Sequence, residues 1–243
     1  RKKSQSIVET IFLTFYGREK MKKVGLIGGT GPESTLVYYK MLNHLVCQSS
    51  GGNAFPELVI ESVNLYKALN YVAEKQYQQL EEYLWQRISN LLNCGCEIIA
   101  LTANTMHIVF DRLKGRLEKV SSVPFVSIPE TVCNYAQKLG YRKLGLLGTI
   151  FTMQEDFFKK VFEKAGIEIV VPDADAMTVI NEIISMELEA GIVKESSTSK
   201  LIENIKILQE RTKMQAVVLG CTELPLALNQ DNCPLPCLDI MDI

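Results

Sequence analysis

The chain has 243 residues, 47% apolar and 22% charged, an ordinary balance for a soluble globular protein of one large domain or two modest ones. Lys and Arg number 26 against 28 Asp and Glu, so the net charge of -2 gives no electrostatic basis for a nucleic acid or an anionic membrane as partner. No apolar run reaches the roughly 18 to 20 residues that span a bilayer.

Residues 1–20 differ in character from the rest of the chain. They carry the short apolar run Ile11 to Tyr16 without a signal-peptide cleavage pattern, and Met21 then opens Met-Lys-Lys-Val-Gly-Leu-Ile-Gly-Gly. The segment reads as an extension outside the fold, with an added amphipathic helix as the alternative. Residues 24–29 predict a strand running into a Gly-rich loop, and Leu36, Tyr39, Leu42 and Leu45 give 34–47 a helical spacing. Next come a strand over 58–63, one or two amphipathic helices over 66–92 and a strand over 97–101. The first series closes with Asn104-Thr105-Met106-His107 and a helix.

A second series repeats the alternation. Strands are expected at 125–128, 143–147, 167–171 and 216–219, with helices over 129–139, 154–165, 178–190 and 199–211. Strand–helix alternation throughout predicts an α/β fold with parallel sheets. Lys23-Val-Gly-Leu-Ile-Gly-Gly-Thr30 echoes Lys143-Leu-Gly-Leu-Leu-Gly-Thr149, and Ile99 to Thr105 echoes Val217 to Thr222. Two pseudo-symmetric lobes facing a cleft explain the echo. Residues 21–122 plus 224–243 are expected in the first lobe and 123–223 in the second.

Seven cysteines, an odd number without an evident export signal, read as free thiols in a reducing cytoplasm. Cys94 and Cys96 form C-x-C and Cys233 and Cys237 form C-x3-C, yet neither pair joins a second pair at zinc-ribbon spacing, and only His44 and His107 could add imidazole. No metal site is expected.

Two segments carry chemistry. Gly28-Gly29-Thr30-Gly31-Pro32-Glu33-Ser34-Thr35 is neither a dinucleotide fingerprint nor a P-loop, because Pro32 and Glu33 interrupt the first and the Lys of the second is missing. It can bind an anion through backbone N–H groups, or Ser34 or Thr35 can simply cap a helix. Cys221, in Gly220-Cys221-Thr222-Glu223-Leu224-Pro225-Leu226, stands where an apolar strand ends, the place at which open α/β sheets bind ligands. It is either an acid/base or a small buried hydrophobe. His107 is the one candidate imidazole partner, and Glu223 can orient the thiol or cap the next segment.

Together, Gly28 to Thr35, Ala103-Asn104-Thr105-Met106-His107 and Gly220-Cys221-Thr222-Glu223 resemble the aspartate/glutamate racemase family over about residues 21–243. The resemblance also takes in Gly148 to Met153 and Met186 to Gly191. It implies a two-lobed fold with the active site between the lobes, independence of pyridoxal phosphate and of any other cofactor, an amino acid or other carboxylate as ligand, and a cytoplasmic homodimer. In this family one cysteine from each lobe flanks the substrate α-carbon. Cys221 matches the second thiol; the first thiol's place is Ala103, which cannot move a proton. Thr30, Asn104, Thr105, Thr149, Thr152 and Thr222 match positions that hold the substrate. The Arg that often precedes the second strand is missing from 47–56, and Asn64 stands where an Asp is common. The expected function is racemisation of aspartate or glutamate through Cys221, with Ala103 marking either a natural variant or an inactivated form. The alternatives are a non-catalytic carboxylate-binding protein and a one-thiol decarboxylase or lyase on the same fold.

Overall fold

A computed structural model describes residues 21–241, so the extension expected over 1–20 lies outside the described residues. The described chain divides into two compact units, with the boundary between Ile128 and Pro129. The first holds a parallel sheet in the order β2-β1-β3-β4, formed by β1 (Val24–Gly28), β2 (Leu58–Ser62), β3 (Ile98–Leu101) and β4 (Phe125–Val126). The two central strands, β1 and β3, are buried at every residue. That is why their sequences are unbroken apolar runs rather than alternating ones.

The helices of this unit are α1 (Pro32–Ser49), α2 (Leu65–Ala73), α3 (Tyr77–Asn93) and α4 (Phe110–Leu117). On α3 the residues Leu80, Leu84, Ile88 and Leu91 form one buried stripe at helical spacing. Leu91 closes over Gly25, where a Cβ would stand 3.0 Å from both of its methyls. The stretch 66–92 is two helices because Lys75 takes a left-handed φ of 55°, and Asn64 starts the first by accepting the Lys67 N–H at 3.0 Å.

The second unit repeats the plan. Strands β5 (Lys143–Leu147), β6 (Glu168–Val170), β7 (Ala216–Leu219) and β8 (Cys237–Asp239) form a parallel sheet in the order β6-β5-β7-β8. Its helices are α5 (Ile128–Lys138), α6 (Ile150–Gln154), α7 (Asp156–Lys164), α8 (Ala174–Met186) and α9 (Glu195–Thr212). Ile180 and Ile184 of α8 and Leu201, Ile205 and Leu208 of α9 share one core with Leu147, Val217 and Leu219.

Two expected boundaries are corrected. The described part of the segment expected to return to the first lobe, 224–241, stays with the second: β8 lies against β7, with Val217 opposite Cys237 and Leu219 opposite Asp239. The free side of β7 needs partners for its backbone groups, and the Val217 N–H finds the Pro236 carbonyl at 3.0 Å. Residues 123–128 in turn belong to the first unit, since β4 pairs with β3.

The shared strand order gives the sequence echo a topological basis. In each sheet the chain adds its second strand on one side of the first and its third on the other. The switch points are therefore the carboxyl ends of β1 and β3, and of β5 and β7, where open α/β sheets bind ligands. The registers match as well: Ile27 pairs with Leu101, and Leu147 with Leu219. Ala103 and Cys221 each come two residues later, so they occupy the same place in the two units.

Candidate active site

At the end of β1 the backbone turns hard against β2. Gly29 has φ 82°, and a Cβ there would lie 2.6 Å from the Val63 carbonyl oxygen and 2.7 Å from its nitrogen. Only glycine fits. The Thr35 hydroxyl accepts the Gly29 N–H at 3.0 Å and donates to the Gly31 carbonyl at 3.2 Å, pinning the loop from the first turn of α1. The helix starts at Pro32 with Gly31 as its uncapped entry residue, so the alternative of Ser34 or Thr35 as N-cap is not realised. Proline's fixed φ favours the first helical position and moves the start earlier. Thr30 is half-buried in this loop, its hydroxyl buried and without a hydrogen-bond partner among the described residues.

At the end of β3, the Thr102 N–H and hydroxyl both donate to the Ile27 carbonyl, at 3.2 and 2.8 Å. Ala103 comes next, half-buried, then buried Asn104, and Thr105 opens a 3-10 turn, Thr105–Val109. His107 is 2% exposed. Its Nε2 accepts the Ile128 N–H at 3.1 Å, which assigns the proton to Nδ1; that nitrogen donates to the Ala103 carbonyl at 2.9 Å. Burial lowers its pKa to about 4, against the opposing pull of backbone acceptors at Ala103 and Asn104. The imidazole stays neutral and braces the loop rather than serving Cys221.

At the end of β5, Thr149 caps α6 through a long 3.4 Å bond from the Thr152 N–H, and the two hydroxyls stand 3.2 Å apart. Thr152 is 1% exposed and fills the space left by two glycines: a Cβ on Gly148 would meet it at 3.0 Å, and one on Gly220 at 3.2 Å. The Ile150 N–H donates to Asn181 Oδ1 at 2.8 Å, a support no sequence pattern signals.

At the end of β7 the Gly220 N–H reaches the Leu147 carbonyl at 2.6 Å. The Cys221 thiol donates to Glu223 Oε2 at 2.9 Å, and the Thr222 hydroxyl donates to the same oxygen at 2.7 Å. Of the two roles open to Glu223 in the sequence, orienting the thiol is the one this geometry displays. Cys221 is 9% exposed. Burial, then the Glu223 carboxylate, raise its pKa well above the ordinary thiol value, and Glu189 adds to the effect. Glu189, on the 3-10 turn Leu188–Ala190, is itself pushed up by lost hydration and by Glu223. Its charge is a feature the sequence reading missed, since nothing in its local pattern points to a thiol over thirty residues away. The cysteine is thus a thiol at neutral pH, hydrogen-bonded to a carboxylate.

The structure brings Thr30, Ala103, Asn104 and Thr105 to the strand ends of the first unit. Thr149, Thr152, Cys221 and Thr222 gather at those of the second. Among the described residues no group of three or more His, Cys, Asp or Glu could hold a metal ion.

The family model for Asp/Glu/Hydantoin racemases matches residues 27–243. The chain belongs to this family. An aspartate racemase homologue from Pyrococcus horikoshii is 36% identical with a TM-score of 0.77, over 91% of this chain and 95% of that one. A Yersinia pestis structure assigned to the Asp/Glu racemases is 32% identical with a TM-score of 0.81, over the same shares of each chain. The glutamate racemase of Streptococcus pneumoniae serotype 19F is 27% identical over 152 residues, which are 61% of this chain and 53% of that protein. The chain thus spans about half the length of the curated relatives it matches. The family match takes in both strand ends, including positions 103 and 221.

Proposed function

We propose that the protein is a cofactor-independent racemase of an acidic amino acid, aspartate or glutamate, in which Cys221 moves the α-proton and Ala103 holds the place of the partner thiol. The observation that carries the reading is the 2.9 Å hydrogen bond from the Cys221 thiol to Glu223. Glu223 takes the thiol proton as the thiolate removes the proton from Cα. The C–H bond breaks, the S–H bond forms again, and the electron pair moves onto the substrate carboxylate. Donors must meet that added charge, and the family resemblance supports Asn104, Thr105, Thr149 and the backbone of Thr222 for this role. Return of a proton on the opposite face falls to water, because Ala103 offers only a methyl group.

Membership of the family and the relatives named as aspartate and glutamate racemases support this choice of substrate. The same resemblance supports a homodimer in the cytoplasm; a single-chain mass in sedimentation equilibrium would remove the dimer. Among the described residues no helix is long and apolar enough to cross a membrane.

A one-thiol decarboxylase or lyase is the second reading. The raised pKa of Cys221 favours it, since a protonated thiol is ready to quench a carbanion and needs no partner.

Proton–deuterium exchange at Cα in heavy water, with both enantiomers of aspartate and glutamate, tests the first reading. Ala103→Cys is expected to raise exchange by about 10²–10⁴-fold, the range for a well-placed acid/base group, and Cys221→Ser to abolish it. No exchange in either the natural chain or Ala103→Cys sinks racemisation. Carbon dioxide release from a malonate-type acid would then identify the decarboxylase. Thermal stabilisation by an amino acid without turnover, unchanged by Cys221→Ser, would leave a binding protein.

A further inference from the structure

The C-x3-C pair near the end of the chain plays no part in the proposed racemase chemistry. Asn229 organises the loop that carries it: its carbonyl accepts the Cys233 N–H at 3.0 Å and lies 3.8 Å from the Cys237 thiol. Gln230 ties the far side, receiving the Cys237 N–H at 3.3 Å and donating to its carbonyl at 2.6 Å. The chain bends at Pro234 and Leu235, and prolines at 234 and 236 restrict the turn. Both cysteines thus converge on one carbonyl oxygen, that of Asn229, and the two sulfurs interact across the turn. Cys233 is half-buried, whereas Cys237 is buried in β8.

We propose that Cys233 and Cys237 form a thiol–disulfide exchange site, with Cys233 as the attacking sulfur, Cys237 as the resolving one, and a low-molecular-weight disulfide such as oxidised glutathione as the oxidant. The Cys233 thiolate attacks one sulfur of the oxidant; a mixed S–S bond forms, the original S–S bond breaks, and the released thiolate takes a proton. Cys237 then gives up its proton and attacks Cys233 Sγ, forming the protein disulfide and expelling the second small thiol. Two protein thiols lose two electrons and two protons in all, and one small disulfide is reduced to two thiols.

The electrostatics suit this division of labour. The contact with Cys237 lowers the Cys233 pKa below the ordinary thiol value and so favours its thiolate. That same contact, with burial and the nearby Asp239, raises the Cys237 pKa and keeps it protonated. Conversion of Cys233 to a neutral mixed disulfide removes the first of these causes and frees the resolving thiol. Cys94 and Cys96 make the contrast. Cys94 is exposed at the end of α3, while Cys96 is buried beside Gly25 and its thiol is pushed up to about 11, chiefly by burial.

The whole chain, equilibrated in a glutathione redox buffer, alkylated and cut before aspartate, yields the peptide 231–238, which holds these two cysteines and no other. In oxidised buffer the peptide is expected unalkylated and lighter by two hydrogens, and after dithiothreitol doubly alkylated. Cys237→Ser is expected to trap glutathione on Cys233, and Cys233→Ser to leave Cys237 unmodified. The proposal is overturned if peptide 231–238 stays doubly alkylatable while Cys94 in the same sample is glutathionylated, or if either sulfur instead bridges to Cys221. The mapping needs no variant, so a poorly folded mutant does not blunt it.

Discussion

The two units place different chemistry on one scaffold. The end of β3 and the end of β7 hold the same place in their registers, yet residue 103 offers a methyl and residue 221 a thiol hydrogen-bonded to a carboxylate. The polar groups diverge in the same way. In the first unit His107 is neutral, with both ring nitrogens committed to backbone. In the second, Glu223 collects donors from Cys221 and Thr222 on one oxygen. One strand end is built to hold a shape and the other to hold a proton.

Glu223→Gln strikes that difference most directly. Removing the acceptor of the thiol proton should slow Cα exchange by about 100-fold, within the span of general acid–base effects. The Cys221 pKa should fall too, because the Glu223 charge is the largest cause of its rise after burial. The pH profile of Cys221 alkylation would then move to lower pH. A profile that stays in place means burial alone keeps the thiol protonated.

The sequence displays the paired positions 103 and 221 because the flanking runs are apolar, β-branched and bounded by small residues, the pattern of fully buried parallel strands. It does not display β8, since Cys237-Leu238-Asp239 is too short to carry a period and comes directly after a proline. The expected helix over 154–165 is interrupted by Glu155, which is extended (φ -78°, ψ 154°) between α6 and α7; a one-residue break leaves no mark in apolar spacing. Cys221 and Glu223 are visible as a motif. That Glu189 adds charge beside them depends on tertiary placement, which local pattern does not encode.

His107 offers a test through stability. Its folded pKa of about 4 lies below the ordinary 6.5, so the unfolded chain takes up the proton first on acidification. The stabilisation is fully present above pH 6.5 and is lost as pH falls toward about 4, a loss of about 3 kcal/mol once complete. Urea unfolding across this window should show that slope beyond what His107→Gln shows. Equal slopes in the two proteins would mean that the imidazole is not buried neutral.

The smallest effects separate residues 102 and 220, which share one place in the register. Thr102 sits 3.2 Å from Ile27 through its N–H and has room for a side chain, whose hydroxyl bonds the same carbonyl at 2.8 Å. Gly220 approaches Leu147 more closely, at 2.6 Å, and a Cβ there would stand 2.8 Å from that carbonyl oxygen. Backbone cannot yield as a side chain does, so Gly220→Ala should cost about 1–3 kcal/mol in unfolding free energy and displace Cys221 with it. Thr102→Ala removes one buried hydrogen bond and should cost about 1 kcal/mol with the strand left in place. Cα exchange distinguishes the two further: the Gly220 variant should lose activity beyond its stability loss, because the strand end it moves is the one that carries the thiol.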